Sequence, residues 1–300
     1  MKLALLINPA ARGGRQSAAA ADAANRLRAH GIETSLISGG SAAESSALLQ
    51  IALRAGADAV AVAGGDGTVH LALAEIAGTG IPLGIIPVGT GNDIAAALGL
   101  RELDVRGAAD VIAAGRTRTV DLARITRDDG TFELMASVLA SGFDSRVNDR
   151  ANAMRWPRGS SRYTVALLIE FLTLHAAPFT LQMQLPDGSR RDVTDDLVIA
   201  AVGNGPSYGG GIPICPDADI ADGLLDVTIV RPAGRLRLLR LLPRVYRGTH
   251  TTIPEVSTFR VRSVRLESEA VTGYADGDPI GLLPLTVEAV PGALTVFAPR

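Results

Sequence analysis

The first hundred residues repeat one pattern four times, and it leaves few folds open. A short apolar run stops, a loop follows, and apolar residues resume at helical spacing. The runs are "LALLIN", "IETSLIS", "DAVAVAG" and "PLGIIPV". Between them lie "SAAAADAANRLRAH", which Gly31 should stop, "AAESSALLQIALRAG", which ends at Gly56, and "TVHLALAEIA"; the short "NDIAAALG" follows the last run. Strand runs without polar alternation, separated by helices, predict a parallel sheet covered on both faces.

From about residue 117 the pattern changes. "RTVDLARITRDDGTFELMASVLASG" reads as strands around an Asp-Asp-Gly turn, and "TLQMQLPDGSRRDVTDDLVIAAVGNG" as more around Pro-Asp-Gly. Further strand-like segments run to the end, interrupted by helices near 161–175 and 234–247. The fold class is therefore α/β: an N-terminal parallel-sheet, three-layer α/β domain over 1–124, then a mostly antiparallel β-sandwich domain over 125–300. The last residues are free to pack back on the first domain. At 300 residues and 47% hydrophobic content the chain can bury two cores.

Several function classes drop out. A net charge of −2 gives no global field for nucleic acid or an anionic membrane. A single cysteine, Cys215, rules out an internal disulfide framework and suits a reducing cytosol, so a cytoplasmic location is expected. No apolar run of about 18 residues is present, so no transmembrane helix is expected; "TVALLIEFLTL" is short and carries Glu170. His30, His70, His175 and His250 show no metal-ligand spacing.

Three strand ends lead into loops of one character: "NPAARGGR" (8–15), "GGDGT" (64–68) and "PVGTGND" (87–93). In a parallel sheet these loops share one edge, where ligands sit. Glycines there allow close backbone approach and positive φ, and the helix N-termini behind them favour an anion. Any one loop could be an ordinary tight turn. Three together predict a phosphate site. No Walker A loop and no G-x-G-x-x-G fingerprint is present. Asp66 would repel a bare phosphate unless a cation or a donor mediates, so "GGDGT" points to Mg·ATP.

Taken together, "NP…GG", "GGDGT", "PVGTGND" and the late "DGDPI" resemble the diacylglycerol kinase catalytic-domain family, which includes bacterial lipid kinases and sphingosine kinases. "GNGPSYGGGIPICPDADIADGLLDV" (203–227) and "YRGTH" (246–250) are similar to family segments and fall in family order. The resemblance covers nearly the whole chain. It implies ATP bound between the two domains by Asn8, Gly65, Asp66, Gly67, Thr68, Thr90 and Asn92, within loops that include Gly64 and Gly89, with Ser38 as a further candidate. It implies Asp276 as general base, with Asp278 beside it, and a structural Mg²⁺ held by the Asp222 side chain and the carbonyls of Asp219 and Leu224. A plain Asp-Gly turn is the alternative at both Asp276 and Asp222.

The chain departs from the family pattern in places. His70 and Leu71 stand where the family usually carries Glu two residues after Thr-x, "DGD" replaces "DGE", and the first loop reads Ala-Arg, so Arg12 or Arg15 is a candidate for the phosphates. Two local segments are basic, 146–162 and 231–247; the second, as a helix with an Arg stripe kinked at Pro243, suits either an anionic lipid surface or plain packing on the sandwich. The expected function is an ATP- and Mg²⁺-dependent lipid kinase acting on diacylglycerol or a related lipid, peripherally at a membrane, without nucleic acid; a homodimer is left open. The alternatives are an NAD-kinase-like enzyme and a catalytically silent nucleotide-binding protein.

Overall fold

The apolar runs at the start of the chain lie side by side. The computed structural model describes residues 1–7, 15–89, 91–154, 156 and 161–299. β1 (Lys2–Ile7), β2 (Glu33–Ile37), β3 (Ala59–Gly64) and β4 (Leu83–Pro87) are parallel, in the order β2-β1-β3-β4. α1 (Arg15–Ala29), α2 (Ala42–Arg54), α3 (Asp66–Ile76), α4 (Asp93–Ala97) and α5 (Val105–Ala113) accompany them. Alternate strand residues point to opposite faces. Ala4, Leu6, Val60 and Val62 therefore pack with Leu49, Leu73 and Ile76, while Leu3, Leu5, Ala59 and Ala61 pack with Leu27, Ala108 and Ile112. These are the three layers. Gly31 and Gly56, at φ +76 and +86, follow α1 and α2 in the left-handed region that lets a helix stop.

The second half adds β5 (Thr117–Arg127), β6 (Phe132–Met135), β7 (Val138–Gly142), α6 (Phe143–Ala153), α7 (Ser161–Leu172), β8 (Ala177–Gln184), β9 (Arg190–Leu197), β10 (Ile199–Gly203), β11 (Leu225–Val230), α8 (Arg235–Tyr246), β12 (Val256–Val261), β13 (Ser263–Glu267), β14 (Thr272–Ala275), β15 (Asp278–Leu282) and β16 (Leu285–Phe297). Among the described residues these strands form two sheets. One has the order β12-β11-β10-β7-β14-β15; the other continues the parallel sheet as β4-β16-β13-β8-β9, with β5 on β16 and β6 on β5. Met135, Leu139, Phe179, Val202, Val227 and Leu285 fill the space between the two sheets.

The join is made by β16, whose Val296 pairs in parallel with Leu83, while the Ala298 N–H bonds the Arg116 carbonyl. The cut expected at 124/125 falls inside β5, because that strand pairs along its whole length with β16. Two helices, α5 and α6, were not expected from the sequence. α5 carries Gly107 and β-branched Val and Ile. α6 carries only a narrow stripe, Phe143, Val147 and Ala151, among Arg, Asp and Asn.

Candidate active site

The loops after β3 and β4 meet backbone to backbone. A methyl group on Gly89 would run into Gly65, 3.0 Å from its nitrogen; one on Gly64 would lie 2.7 Å from Thr68 Cβ, and one on Gly91 2.6 Å from Asp66 Oδ2. None of these glycines has a positive φ, so what the chain needs there is the missing side chain and not a left-handed turn. Gly67, in the first turn of α3, faces open space.

The Asp66 carboxylate lies across the two loops. Its Oδ1 accepts the Ile94 N–H at 3.2 Å, and the Asp93 N–H also bonds it. Burial raises its pKa, these two amides oppose the rise, and the charges of Asp93 and Asp276 add to it. The donor that makes this carboxylate tolerable is thus the first turn of α4, whose free amides favour a negative group. Asn92 takes the left-handed conformation, φ 58 and ψ 39, and its Nδ2 donates to the Gly89 carbonyl at 2.9 Å. Asp93 is buried and accepts the Gly210 N–H at 2.8 Å and the Ser207 hydroxyl at 3.2 Å. It ties the loop to the "GNGPSYGGG" segment of the second half.

Asp276 arrives from the other side. Asp276-Gly277 is the two-residue turn between β14 and β15, with φ 51 and 93, both positive as a type I′ hairpin requires. The turn given as the alternative is therefore present, and the candidate residue sits in it. Its side chain has no solvent exposure and sits 3.5 Å from His70 Nδ1 on α3. Oδ1 accepts the Ser137 N–H at 2.8 Å and the Ser137 hydroxyl, and Oδ2 accepts the Ala136 N–H at 3.0 Å. The interaction with Asp276 raises the His70 pKa against the effect of burial, and Asp278 and Glu133 raise it further. At 3.5 Å the His70–Asp276 contact is an ion-pair distance, long for a hydrogen bond.

The diacylglycerol kinase catalytic-domain model matches residues 2–125, and the model of the YegS C-terminal NAD kinase beta sandwich-like domain matches 137–298. A diacylglycerol kinase of Mycobacterium tuberculosis is 46% identical over 299 residues, 100% of this chain and 96% of the relative. The chain belongs to the diacylglycerol kinase catalytic-domain family. A "Probable lipid kinase YegS-like" of Stenotrophomonas maltophilia is 30% identical over 81% of this chain and 80% of its own. A crystal structure of a diacylglycerol kinase from Bacillus anthracis shares the fold with a TM-score of 0.71 at 21% identity, covering 100% of this chain and 97% of that one.

Within this kinase fold the expected residues divide into groups. Gly64, Gly65, Asp66, Gly67, Thr68, Gly89 and Asn92 lie together at the carboxyl edge of the parallel strands. Ser38 follows β2 on the same edge and is exposed. Asn8, Arg12 and Thr90 lie outside the described residues, and Arg15 is described only as the first residue of α1. Asp278 begins β15, exposed, and reaches His70 through its charge alone.

At the turn expected to hold a structural Mg²⁺, the Asp222 carboxylate is already engaged. Asp222 gives one oxygen to Arg260 and the other to the Leu224 N–H at 2.9 Å, while Asp219 accepts the Ala221 N–H at 3.0 Å. An ion there would have to displace Arg260.

Four residues of the region were not among the expected site residues. His70 stood out only as a departure from the family pattern. Ser137 and Asp93 act through contacts distant in sequence. Asp121 is buried and accepts the Gly223 N–H at 2.6 Å and the Gly292 N–H at 2.7 Å, pinning two turns of the second half. Leu71, the other departure, packs against the core of the first half.

Proposed function

We propose that the protein transfers the γ-phosphoryl group of Mg·ATP to a hydroxyl of diacylglycerol or a related lipid, at a cytoplasmic membrane surface. The observation that carries this reading is the Asp276 carboxylate, which the sandwich hairpin holds against the helix that begins with "GGDGT". The glycine loops would admit the phosphate chain, the amides at the start of α3 would face its charge, and deprotonation of the acceptor hydroxyl would depend on Asp276. Mg²⁺ enters with the nucleotide and neutralises charge on the transferring group.

The mouth of the second half suits an apolar acceptor. An apolar cavity of about 70 Å³ lies beneath α7 and α8, lined by Phe171, Leu174, Val198, Leu238, Leu242 and Val245. Leu168 and Leu172 of α7, and Leu236, Leu239 and Tyr246 of α8, are exposed on the outside of those helices. Beside them α8 carries Arg235, Arg240 and Arg244, also exposed. Apolar side chains among arginines are what an anionic lipid surface attracts.

The test is transfer of labelled γ-phosphate to lipids in mixed micelles, with NAD as a parallel acceptor. Label in diacylglycerol, lost in Asp276→Asn while ATP still binds, is expected. Label in NAD, or normal turnover by the variant, would overturn the reading.

A further inference from the structure

One series of hydrogen bonds runs between the two carboxylates of the site and crosses from one half to the other. Asp276 accepts the Ser137 N–H at 2.8 Å. The Ser137 carbonyl in turn accepts the N–H groups of Asn204 at 2.8 Å and Gly205 at 2.9 Å. The segment that starts there runs on to Ser207 and Gly210, which donate to the Asp93 carboxylate, and the Ile94 N–H next to Asp93 donates to Asp66. Residues 208–212 close into a tight loop, in which the Tyr208 N–H donates to the Ile212 carbonyl at 3.2 Å and the Ile212 N–H to the Tyr208 carbonyl at 2.9 Å. Gly210 is the tip of that loop.

Arg101 fixes the tip. α4 ends at Ala97, the buried Leu100 anchors the turn after it, and the half-buried Arg101 donates from Nη2 to the Gly210 carbonyl at 2.6 Å. Gly210 is thus gripped by both of its main-chain groups, the N–H by Asp93 and the carbonyl by Arg101, residues that begin and follow α4. The guanidinium lies so close to the loop that a Cβ on Gly211 would run into it. Both grips use an ionised side chain, which makes a hydrogen bond roughly twice as strong as a neutral pair does.

We propose that Arg101 is a positioning residue for phosphoryl transfer. By latching Gly210 to the turn after α4, it sets where the 204–210 segment carries Ser137, and through Ser137 the Asp276 carboxylate, relative to the nucleotide loop. The proposal rests on the phosphotransfer reading and adds the device that keeps the acceptor side and the nucleotide side in register. Arg101 acts at one remove, through main chain, so its loss leaves every side chain of the site in place. A misplacement of about 1 Å caused from a distance can cost on the order of 100-fold in rate. Loosening the latch therefore lowers turnover and spares nucleotide affinity.

The test measures transfer of labelled γ-phosphate by Arg101→Ala and Arg101→Lys, with affinity for a fluorescent ATP analogue and the melting temperature read on the same samples. A fall in kcat of about tenfold or more in Arg101→Ala, with nucleotide affinity within about twofold of the wild type, is expected. Arg101→Lys keeps an ionised donor of similar reach and should recover most of the rate. Arg101→Gln takes the place of Arg101→Ala if the latter does not fold. A lower melting temperature with an unchanged kcat of the folded enzyme would mean plain packing and overturns the proposal. Lost nucleotide affinity with kcat kept would make Arg101 a nucleotide ligand and also overturns it. The route is read by a double-mutant cycle with Ser137→Ala, which removes the hydroxyl that meets Asp276. The double variant should lose less than the product of the two single losses; losses that multiply overturn the route through Ser137. All of these results leave the lipid-kinase reading standing. Wild-type transfer to NAD instead of lipid overturns the lipid reading alone, since the same variants are then compared on that acceptor. A wild type that labels no acceptor overturns both.

Discussion

Single residues here carry opposite instructions although the sequence writes them alike. Gly67 and Gly89 both belong to glycine loops, yet a Cβ on Gly67 meets nothing within 4 Å, whereas one on Gly89 collides with Gly65. Gly89→Ala should force the two loops apart and cost about 1–3 kcal/mol, the usual price of overpacking, with weaker ATP binding. Gly67→Ala should leave stability equal or raise it by up to about 1 kcal/mol, because alanine is the better helix residue, while still weakening ATP binding if phosphate approaches there. Urea unfolding beside nucleotide titration separates the two. Asp144 sets a different test. Burial pushes its carboxyl up to about 6, and the Tyr208 hydroxyl and Arg146 charge offset only part of that rise. Between the ordinary carboxyl value of 3.8 and about 6 the native state binds more protons than the unfolded chain, so stability falls as pH rises through this window. Asp144→Asn keeps the acceptor and removes the charge. It should match the wild type at low pH and exceed it above the window by up to about 3 kcal/mol, at 1.36 kcal/mol per unit, read by unfolding at both pH values.

At the scale of elements, α8 shows how one helix can be both packed and presented. Leu238 is buried with Val230, Ile253 and Val256, whereas Leu239 is 50% exposed. Leu238→Ala should cost about 2–4 kcal/mol and Leu239→Ala less than about 0.5. If the outer face meets anionic lipid at about 1 kcal/mol per arginine, the double change Arg240→Glu and Arg244→Glu should weaken sedimentation with anionic vesicles at least tenfold without shifting the melting temperature. Unchanged sedimentation would mean that the arginines are simply solvated. Elements with one clean periodicity were legible in the sequence: the buried β3 run, the Ala-rich α1 with Gly31 behind it, the Asp-Gly hairpins. The division of α8 was legible only in part. The Arg stripe could be read, but not that the helix buries Leu238 and turns Leu239 and Tyr246 outward with the arginines. α6 was passed over because its stripe, Phe143, Val147 and Ala151 at i, i+4 and i+8, is thin among Asp, Arg and Asn.

On the scale of the whole molecule, the site exists because the two halves share a sheet. The motifs "GGDGT" and "DGD" were readable one by one, since each is local. Their meeting was not, since it depends on β16 running from the sandwich to the edge of β4 and on Asn204, whose Nδ2 donates to the carbonyls of Asp121 at 3.1 Å and Ala136 at 2.9 Å. Leu294 and Val296 of β16 lie in the same apolar cluster as Val60 and Leu73 of the first half. A sheet and a core continuous in this way should unfold as one cooperative unit. Cys215 offers a direct probe of it. The thiol is buried in the second half, where burial pushes its pKa to about 12, so it should resist alkylation until the sandwich opens. Leu73→Ala in the first half should cost about 2–5 kcal/mol through the cavity it leaves. If the halves open together, that change should raise the equilibrium accessibility of the Cys215 thiol by the whole of its free-energy cost, and thiol labelling should track the loss of helical circular dichroism in urea. If labelling of Cys215 stays at the wild-type level while the helical signal melts early, the shared sheet does not couple the halves, and the hairpin that presents Asp276 can then part from α3 and His70 without unfolding the sandwich.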